Sequence, residues 1–186
     1  MNGVGYWQDP LLFLLETAFT LYTLVVMLRM LLQIDGLDRF NPVHRALVNA
    51  TEPPLQLLRR LIPAWRGIDL AAIVLMLLLQ VALYALIAAI AGLAVPPGVL
   101  LRLAMVELTL LLFNVYTFSI LIEVVLSWVN PGAYHPALAV IYQLNAPVLG
   151  RIRQLLPATG GLDLSPLVAL VLIQVLRLLI APLGAA

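Results

Sequence analysis

Four apolar segments dominate this sequence, and each is long enough to cross the hydrocarbon core of a bilayer. They cover residues 10–33, 68–95, 99–129 and 164–183, and a transmembrane helix needs only about 20 predominantly apolar residues. Hydrophobic residues make up 63% of the chain and charged residues 10%, whereas soluble domains carry about 25% charged residues. We therefore predict an all-α, polytopic membrane protein with four transmembrane helices.

The basic residues indicate how these spans are oriented. Five arginines lie between the first and second spans and two lie between the third and fourth, while the opposite side offers at most Arg102. The positive-inside rule then places both arginine-bearing segments in the cytoplasm and both termini outside. The first nine residues contain no Lys or Arg, so they lack the basic start of a cleaved signal peptide, and we expect the first span to be retained.

The second half of the sequence repeats the first. A shift of 94 residues aligns residues 41–80 with 135–174 without a gap, and thirteen of the forty positions are identical. We predict a tandem duplication, with a first repeat over residues 1–95 and a second over 96–186. Each repeat contains a span, a cytoplasmic segment and a span, so both repeats have the same orientation and the pseudo-two-fold axis runs along the membrane normal.

Each cytoplasmic segment contains a short amphipathic pattern, at residues 53–63 and 147–157. Apolar residues recur there at helical spacing, and proline is favoured at the start of a helix and excluded from its continuation. The bounding prolines are Pro53, Pro63, Pro147 and Pro157, and the arginines are Arg59, Arg60, Arg151 and Arg153. Such helices lie in the headgroup layer with their arginines on anionic lipid, or dock in a groove between spans. We expect these four arginines to bind lipid or a partner protein.

A glycine and then an aspartate follow each amphipathic segment, as Gly67 and Asp69 in the first repeat and Gly161 and Asp163 in the second. Glycine permits the backbone turn into the bilayer. Asp69, Asp163 and Ser165 have side chains that accept the free N–H groups at a helix start. We interpret these residues as a structural motif that begins the second span of each repeat. An alternative use for the two aspartates is a contact with the nearby arginines.

These residues together resemble the YggT family of bacterial membrane proteins. The resemblance rests on the string Gly-Gly-Leu-Asp-Leu-Ser-Pro at residues 160–166, on its counterpart at 67–70, and on the proline-bounded arginine segments, and it covers nearly the whole chain. Two positions depart from the family pattern, because Ala146 replaces an acidic residue and Gln154 replaces an arginine.

The resemblance implies a duplicated two-span fold in the bacterial inner membrane and no enzymatic activity. Photosynthetic relatives are associated with thylakoid biogenesis, including maturation of a b-type cytochrome, and with nucleoid organisation. Gram-positive relatives lie among division-associated genes, and proteobacterial relatives are linked to osmotic stress. These associations imply a membrane scaffold or an assembly factor.

Charged residues inside the predicted spans are a second group of candidate site residues, because each costs at least about 2.5 kcal/mol at the centre of a helix. The principal ones are Arg29, Glu107 and Glu123, with Glu16 and Arg177 in addition. Under the 94-residue shift, Arg29 and Glu123 are equivalent. We predict that they pair across the pseudo-two-fold axis. The alternatives are that Arg29 extends to the interface or that these charges line an ion path.

Other chemistry is not expected from this composition. The chain has no cysteine and two histidines, so we predict no metal site and no cofactor. A net charge of +1 argues against nucleic acid binding. The function that we expect is a non-enzymatic membrane scaffold or assembly factor that binds anionic headgroups and a membrane-protein partner. The alternative is a small channel or transporter formed by a homo-oligomer and linked to osmotic or ion homeostasis.

Overall fold

The computed structural model describes residues 5–34, 41–64, 67–129, 135–157 and 163–185, and within these ranges the chain is helical without strands. The helices are α1 (Gly5–Ile34), α2 (Pro42–Arg59), α3 (Leu70–Ile90), α4 (Pro97–Val129), α5 (Pro136–Leu155), α6 (Ser165–Ile180) and the short α7 (Pro182–Ala185). The predicted all-α class is confirmed.

Four of these helical segments are long and apolar enough to cross a membrane. They cover Pro10–Gln33, Leu70–Ile90, Pro97–Val129 and Ser165–Gly184, and all four predicted spans are confirmed in number and approximate position. We call α1, α3, α4 and α6 the spans. Large apolar side chains such as Phe13 and Leu179 point outward from them, with 65% and 67% of their surface exposed. This exposure is typical of helices whose surroundings are lipid.

The spans pack in a layer in which α3 contacts α1 and α4, and α4 contacts α6. Val26, Leu32, Leu55 and Ala71 are fully buried in the main apolar cluster, which joins α1, α2 and α3 and continues onto α4 and α5. A second cluster around Ile120 joins α4, α5 and α6. Helices α2 and α5 therefore pack against the spans at one end of the layer, which we call the loop side.

Helices α2 and α5 begin earlier than the sequence predicts, and the predicted starts at Pro53 and Pro147 are wrong. Pro42 and Pro136 occupy the first turns instead. The Asn41 side chain accepts a hydrogen bond from the Val43 amide at 2.9 Å, and His135 Nδ1 accepts one from the Ala137 amide at 3.2 Å. These equivalent residues are therefore N-caps. The Asn41 amide also donates to the Pro136 carbonyl at 3.0 Å, which joins the two helix starts.

Helix α2 contains two interior prolines, Pro53 and Pro54, and the carbonyl that Pro54 leaves free has another partner. A proline within a helix removes the hydrogen bond to the carbonyl four residues earlier, and for Pro54 that carbonyl belongs to Ala50. The Tyr22 hydroxyl, on α1, donates to the Ala50 carbonyl at 3.4 Å. Pro54 thus leaves a backbone carbonyl of α2 to which a side chain of α1 donates.

The turn between α3 and α4 lies earlier than predicted. Helix α3 ends at Ile90 rather than near residue 95, because Gly92 adopts a φ of 68°, a left-handed conformation that favours glycine. The Leu93 amide donates to the Ala88 carbonyl at 2.8 Å, as in a Schellman cap. The predicted hairpin of the second and third spans is present, with α4 starting at Pro97.

Candidate functional site

A chain of charged residues joins α1, α2 and α3 on the loop side of the first repeat. It starts at Arg29, which is 5% exposed and donates to Thr51 Oγ1 at 2.8 Å. Arg29 also forms a salt bridge with Glu52. The Glu52 carboxylate in turn lies 3.4 Å from Nη1 of Arg59. A charge that would be costly within α1 is thereby compensated by two side chains of α2.

Asp69 ends this chain of contacts and has two functions. Its Oδ1 accepts the Ala72 amide at 3.3 Å, which caps the start of α3. Its Oδ2 accepts Nε of Arg59 at 3.2 Å within a salt bridge, and the Asp69 side chain is only 4% exposed. Arg59 therefore connects the end of α2 to the start of α3, so that both proposed roles of Asp69 are present together.

The pKa values follow these contacts. Burial alone would raise the pKa of Glu52, but the hydrogen bond from Arg29 and the charges of Arg29 and Arg59 outweigh it and hold the pKa below its ordinary value of 4.5. The hydrogen bond to Asp69 raises the pKa of Arg59 above its already high ordinary value. Glu52 and Arg59 are therefore both charged near neutral pH.

The second repeat builds the same region with different chemistry. Glu123 occupies the position of Arg29, and Asn145 Nδ2 donates to its Oε2 at 2.7 Å. Asn145 is fully buried and occupies the position of Thr51, and its Oδ1 accepts the Ser119 hydroxyl at 2.6 Å. Ala146 stands where the first repeat has Glu52. The second repeat therefore replaces an ion pair with a hydrogen bond from Asn145 to the Glu123 carboxylate.

The pair that joins the cytoplasmic helix to the following span is present in both repeats. Arg153 Nε donates to Asp163 Oδ2 at 2.8 Å, and the Ser165 amide donates to Asp163 Oδ1 at 2.9 Å. Burial, which would raise the pKa of Asp163, is outweighed by hydrogen bonds from Ser165 and Arg153, which lower it. The Asp163 side chain is 44% exposed, so this pair is more hydrated than Arg59–Asp69.

The predicted contact between Arg29 and Glu123 is wrong. Each residue bonds within its own repeat, because α2 and α5 fold back onto the loop-side ends of α1 and α4 and present Glu52 and Asn145 there. Sequence reasoning also missed the importance of position 51 and its equivalent, 145. Both repeats carry a polar residue at this position, which could have indicated its importance. Thr51 and Asn145 are different residues, however, so they are not among the thirteen identical positions of the repeat.

The four arginines predicted to bind lipid or a partner divide into two groups. Arg59 and Arg153 are held in the salt bridges described above. Arg60 and Arg151 are exposed, as is Arg45 on α2, and within the described ranges none of these three takes part in an ion pair. We call Arg45, Arg60 and Arg151 the exposed arginines.

The remaining motif residues lie where the chain turns. Pro63 and Pro157 follow the ends of α2 and α5, as predicted from their helix-breaking chemistry. Gly67 has a φ of 84°, and a Cβ there would meet no atom within 4 Å. Its backbone conformation, rather than lack of space, thus requires glycine. Gly161, its predicted equivalent, lies outside the described residues.

Glu107 is far from these loop-side contacts. It lines a cavity of about 220 Å³ between α1, α3 and α4, together with Glu16, Gln80 and Tyr84. A further cavity of about 430 Å³ opens beside Arg29 and His44 on the loop side. In the part of the chain that the structure describes, no group of three or more His, Asp or Glu residues is arranged to hold a metal ion.

Four helices long and apolar enough to cross a membrane place the chain in the class of multi-pass membrane proteins. The chain belongs to the CCB3/YggT family, whose profile matches residues 8–90 and 103–184. The resemblance predicted from the sequence is thereby confirmed. Each matched segment contains two spans and the loop-side helix between them.

Several curated proteins are similar over most of their length. The chain is 40% identical to a protein of Pseudomonas aeruginosa over 172 residues, covering 91% of this chain and 87% of that protein. It is 36% identical to YggT of Escherichia coli K12 over 183 residues, covering 94% and 90%. A Vibrio alginolyticus protein is 36% identical over 169 residues, covering 90% and 91%. All three are described as uncharacterised, and none of their names states an enzymatic activity. No solved structure matches the chain.

Proposed function

We propose that this protein is a non-enzymatic scaffold or assembly factor of the bacterial inner membrane. In this proposal both termini lie outside the cytoplasm and the loop side is cytoplasmic, as the arginine distribution favours. Its docking surface consists of the exposed arginines Arg45, Arg60 and Arg151, which bind anionic headgroups and an acidic segment of a membrane-protein partner.

The observation that carries this proposal is the division of the loop-side arginines. Arg59 and Arg153 have carboxylate partners within their own repeats, so their charges are used in folding. Arg60 and Arg151 are exposed and have no such partner among the described residues. A charge without an internal partner remains available to an external one. The proposal therefore moves the docking role from the four arginines of the sequence prediction to the exposed ones.

Exposed leucines beside these arginines support a location at the membrane surface. Leu57 and Leu61 near the end of α2 are 64% and 79% exposed, and Leu155 at the end of α5 is 83% exposed. Interfacial helices place apolar side chains at the acyl boundary and arginines among the headgroups. The same surface fits a membrane-protein partner whose own interface lies at headgroup depth.

The absence of enzymatic activity is supported by how the polar groups of the described residues are arranged. The Ser165 hydroxyl bonds to the Asp163 carboxylate at 2.5 Å, a pairing that in an enzyme would suggest an activated nucleophile. Ser165 is fully buried and lies in the first turn of α6. The predicted capping role is therefore wrong for Ser165, whose hydroxyl donates to Asp163 and accepts no helix N–H group. Burial places this hydroxyl where a substrate cannot reach it.

Photo-crosslinking in the native membrane tests the proposed docking surface. Benzoylphenylalanine is introduced singly at Arg60, at Arg151 and, as a lipid-facing control, at Phe13, and the adducts are identified by mass spectrometry. We expect Arg60 and Arg151 to give a discrete protein adduct or adducts enriched in anionic phospholipid, and Phe13 to give phospholipids in proportion to their abundance. Identical adduct patterns at all three positions would contradict the proposal, while the mass of the adduct distinguishes lipid from protein.

A small oligomeric channel or transporter linked to osmotic or ion homeostasis is the second candidate. The observation that favours it is the cavity containing Glu16, Gln80 and Glu107 within the spans, because intramembrane carboxylates often mark ion paths. Ion flux into liposomes containing the purified protein tests it. A channel or transporter requires flux that depends on Glu107, whereas a scaffold gives the same flux as protein-free liposomes.

A further inference from the structure

The cavity between α1, α3 and α4 has a polar lining in a region where the surroundings are apolar. It measures about 220 Å³ and is lined by Glu16 and Thr20 of α1, Gln80 and Tyr84 of α3, and Glu107 of α4, with Leu83 and Ile87 completing the wall. Gln80 lies midway along α3, which extends from Leu70 to Ile90. The cavity therefore extends from the middle of α3 towards Ile87, away from the loop side.

Gln80 is the observation that indicates an occupant. Its surface is 0% exposed, and neither its side-chain carbonyl oxygen nor its amide nitrogen has a hydrogen-bond partner within the protein. Buried polar side chains nearly always have at least one partner, whether protein, water or a bound group. A carboxamide that lines a cavity with both polar atoms unpaired therefore indicates that the cavity holds a polar ligand.

The two glutamates indicate the charge of that ligand. Neither Glu16 nor Glu107 takes part in a salt bridge among the described residues. The Tyr84 hydroxyl, which also lines the cavity, donates a hydrogen bond to the Glu107 carboxylate. Arg29, the other charged residue well inside α1, is by contrast compensated by Glu52. Glu107 is half-buried and Glu16 is exposed, and a cation in the cavity would balance the charges of both carboxylates.

The side chains offer only oxygen atoms as ligands for a cation: two carboxylates, two hydroxyls and one carboxamide. Hard cations such as Mg²⁺, Mn²⁺ and Ca²⁺ prefer this set. Mg²⁺ retains several water molecules and is typically held by one or two carboxylates. A water molecule takes about 30 Å³ in the liquid, so a cavity of about 220 Å³ accommodates an ion with part of its hydration shell.

We propose that this cavity binds a partly hydrated divalent cation of the magnesium class, held by Glu16 and Glu107 and oriented through water by Gln80. The site departs from the sequence prediction of no metal, because its residues come from three helices and no local spacing brings them together. It is independent of the docking surface, since a bound ion here stabilises the contact of α1 with α3 and α4 whether or not the loop side binds a partner.

Binding of Mn²⁺ followed by electron paramagnetic resonance tests this proposal, because the signal of free Mn²⁺ falls as the ion is bound. The full-length protein is placed in nanodiscs of phosphatidylcholine, whose zwitterionic headgroups provide few sites of their own. The variants are Glu16→Gln, Glu107→Gln and Gln80→Leu, and Glu123→Gln is the matched control because it removes an intramembrane carboxylate outside the cavity. Elution volume and helical circular dichroism verify that each variant is folded.

We expect one bound Mn²⁺ per chain, displaced by Mg²⁺ and not by NaCl at equal ionic strength. Loss of a supporting partner typically weakens metal affinity by about 10–100-fold, so each of the three cavity variants is expected to bind at least about tenfold more weakly, and Glu123→Gln is expected to bind as the wild type does. Absence of binding to the wild type would overturn the proposal, as would displacement by Na⁺ at the same concentration as Mg²⁺. Equal affinity of folded cavity variants and wild type would also overturn it. The wild-type measurements decide the question even if a variant fails to fold.

Discussion

Arg59, in the last turn of α2, forms a salt bridge with Asp69, the residue that caps the first turn of α3. One aspartate thereby fixes the start of a span and holds the preceding loop-side helix against it. The equivalent residues Arg153 and Asp163 form the same contact in the second repeat, with more of the carboxylate exposed to solvent. These two salt bridges hold the loop-side helices α2 and α5 against the spans that follow them.

The two equivalent salt bridges provide the first prediction. Asp69→Asn retains an N-cap acceptor and removes the charge, so it isolates the ion pair. Breaking a buried pair costs about 3–5 kcal/mol, and because Arg59 is 32% exposed we expect a loss of about 2 kcal/mol in the free energy of unfolding. Asp163→Asn, at the more exposed pair, is expected to cost about 1 kcal/mol or less. Unfolding by dodecyl sulfate in mixed micelles measures both, and a larger loss for Asp163→Asn would contradict this account.

The second prediction transfers the chemistry of the second repeat into the first. Arg29→Glu alone places a carboxylate beside Glu52 and is expected to abolish folding, because two like charges would meet within a partly buried site. The triple variant Arg29→Glu, Thr51→Asn, Glu52→Ala reproduces the Glu123, Asn145 and Ala146 set. We expect the triple variant to give at least half of the wild-type yield of folded protein in detergent. If the triple variant yields no more folded protein than Arg29→Glu, then the two repeats do not use equivalent contacts.

The third prediction concerns acid stability. The pKa of Glu52 is lowered in the folded protein from 4.5, so the unfolded state takes up a proton at higher pH than the folded state does. The stabilisation is therefore fully present above about pH 4.5 and is lost as the pH falls through the lower folded value. We expect Glu52→Gln to be less stable than the wild type at pH 7 and to differ less from it as the pH approaches 3. A difference in unfolding midpoint that stays constant over this range would show that the Glu52 charge does not stabilise the fold.

The fourth prediction tests the backbone at the entry to α3. Gly67→Ala forces a residue with a side chain into a left-handed conformation and is expected to cost about 1–2 kcal/mol. Gly150→Ala is the matched control, because it lies inside α5, has an ordinary φ and meets no atom within 4 Å. That change is expected to be neutral or to stabilise the protein by up to about 1 kcal/mol. Equal effects of the two substitutions on the unfolding midpoint would contradict the explanation based on φ.

Hydropathy predicted the spans because a helix that crosses lipid must be apolar over its whole length, and this property can be read from the sequence of each segment alone. The first predicted span, residues 10–33, agrees with Pro10–Gln33 in the structure. The starts of α2 and α5 were misplaced because proline is usual at a helix start, whereas Pro53 and Pro147 lie inside helices whose capping residues, Asn41 and His135, come earlier. Local composition was therefore sufficient to predict the spans, whereas the helix boundaries depended on capping contacts that composition does not show.

The contacts of the charged residues were harder to predict because they depend on tertiary packing. Equivalence under the repeat suggested that Arg29 and Glu123 pair across the axis, but each finds a nearer partner on the helix that folds back within its own repeat. The cavity around Gln80 combines α1, α3 and α4, and no periodicity in one segment indicates it. Pairing could be predicted only where both partners lie close in sequence, as with Arg59 and Asp69.

The central claim is that the exposed arginines act in docking, and complementation of a deletion strain tests it most directly. One variant replaces Arg45, Arg60 and Arg151 with glutamine, and a second carries Glu107→Gln and Glu123→Gln. Both are expressed at matched abundance and compared by competitive growth with the parent strain before and after an osmotic upshift. Because solvated arginines contribute little to folding, we predict that the arginine variant accumulates normally and fails to complement, while the glutamate variant complements. Full complementation by the arginine variant, together with failure of the glutamate variant at normal abundance, would contradict the scaffold account and favour conduction.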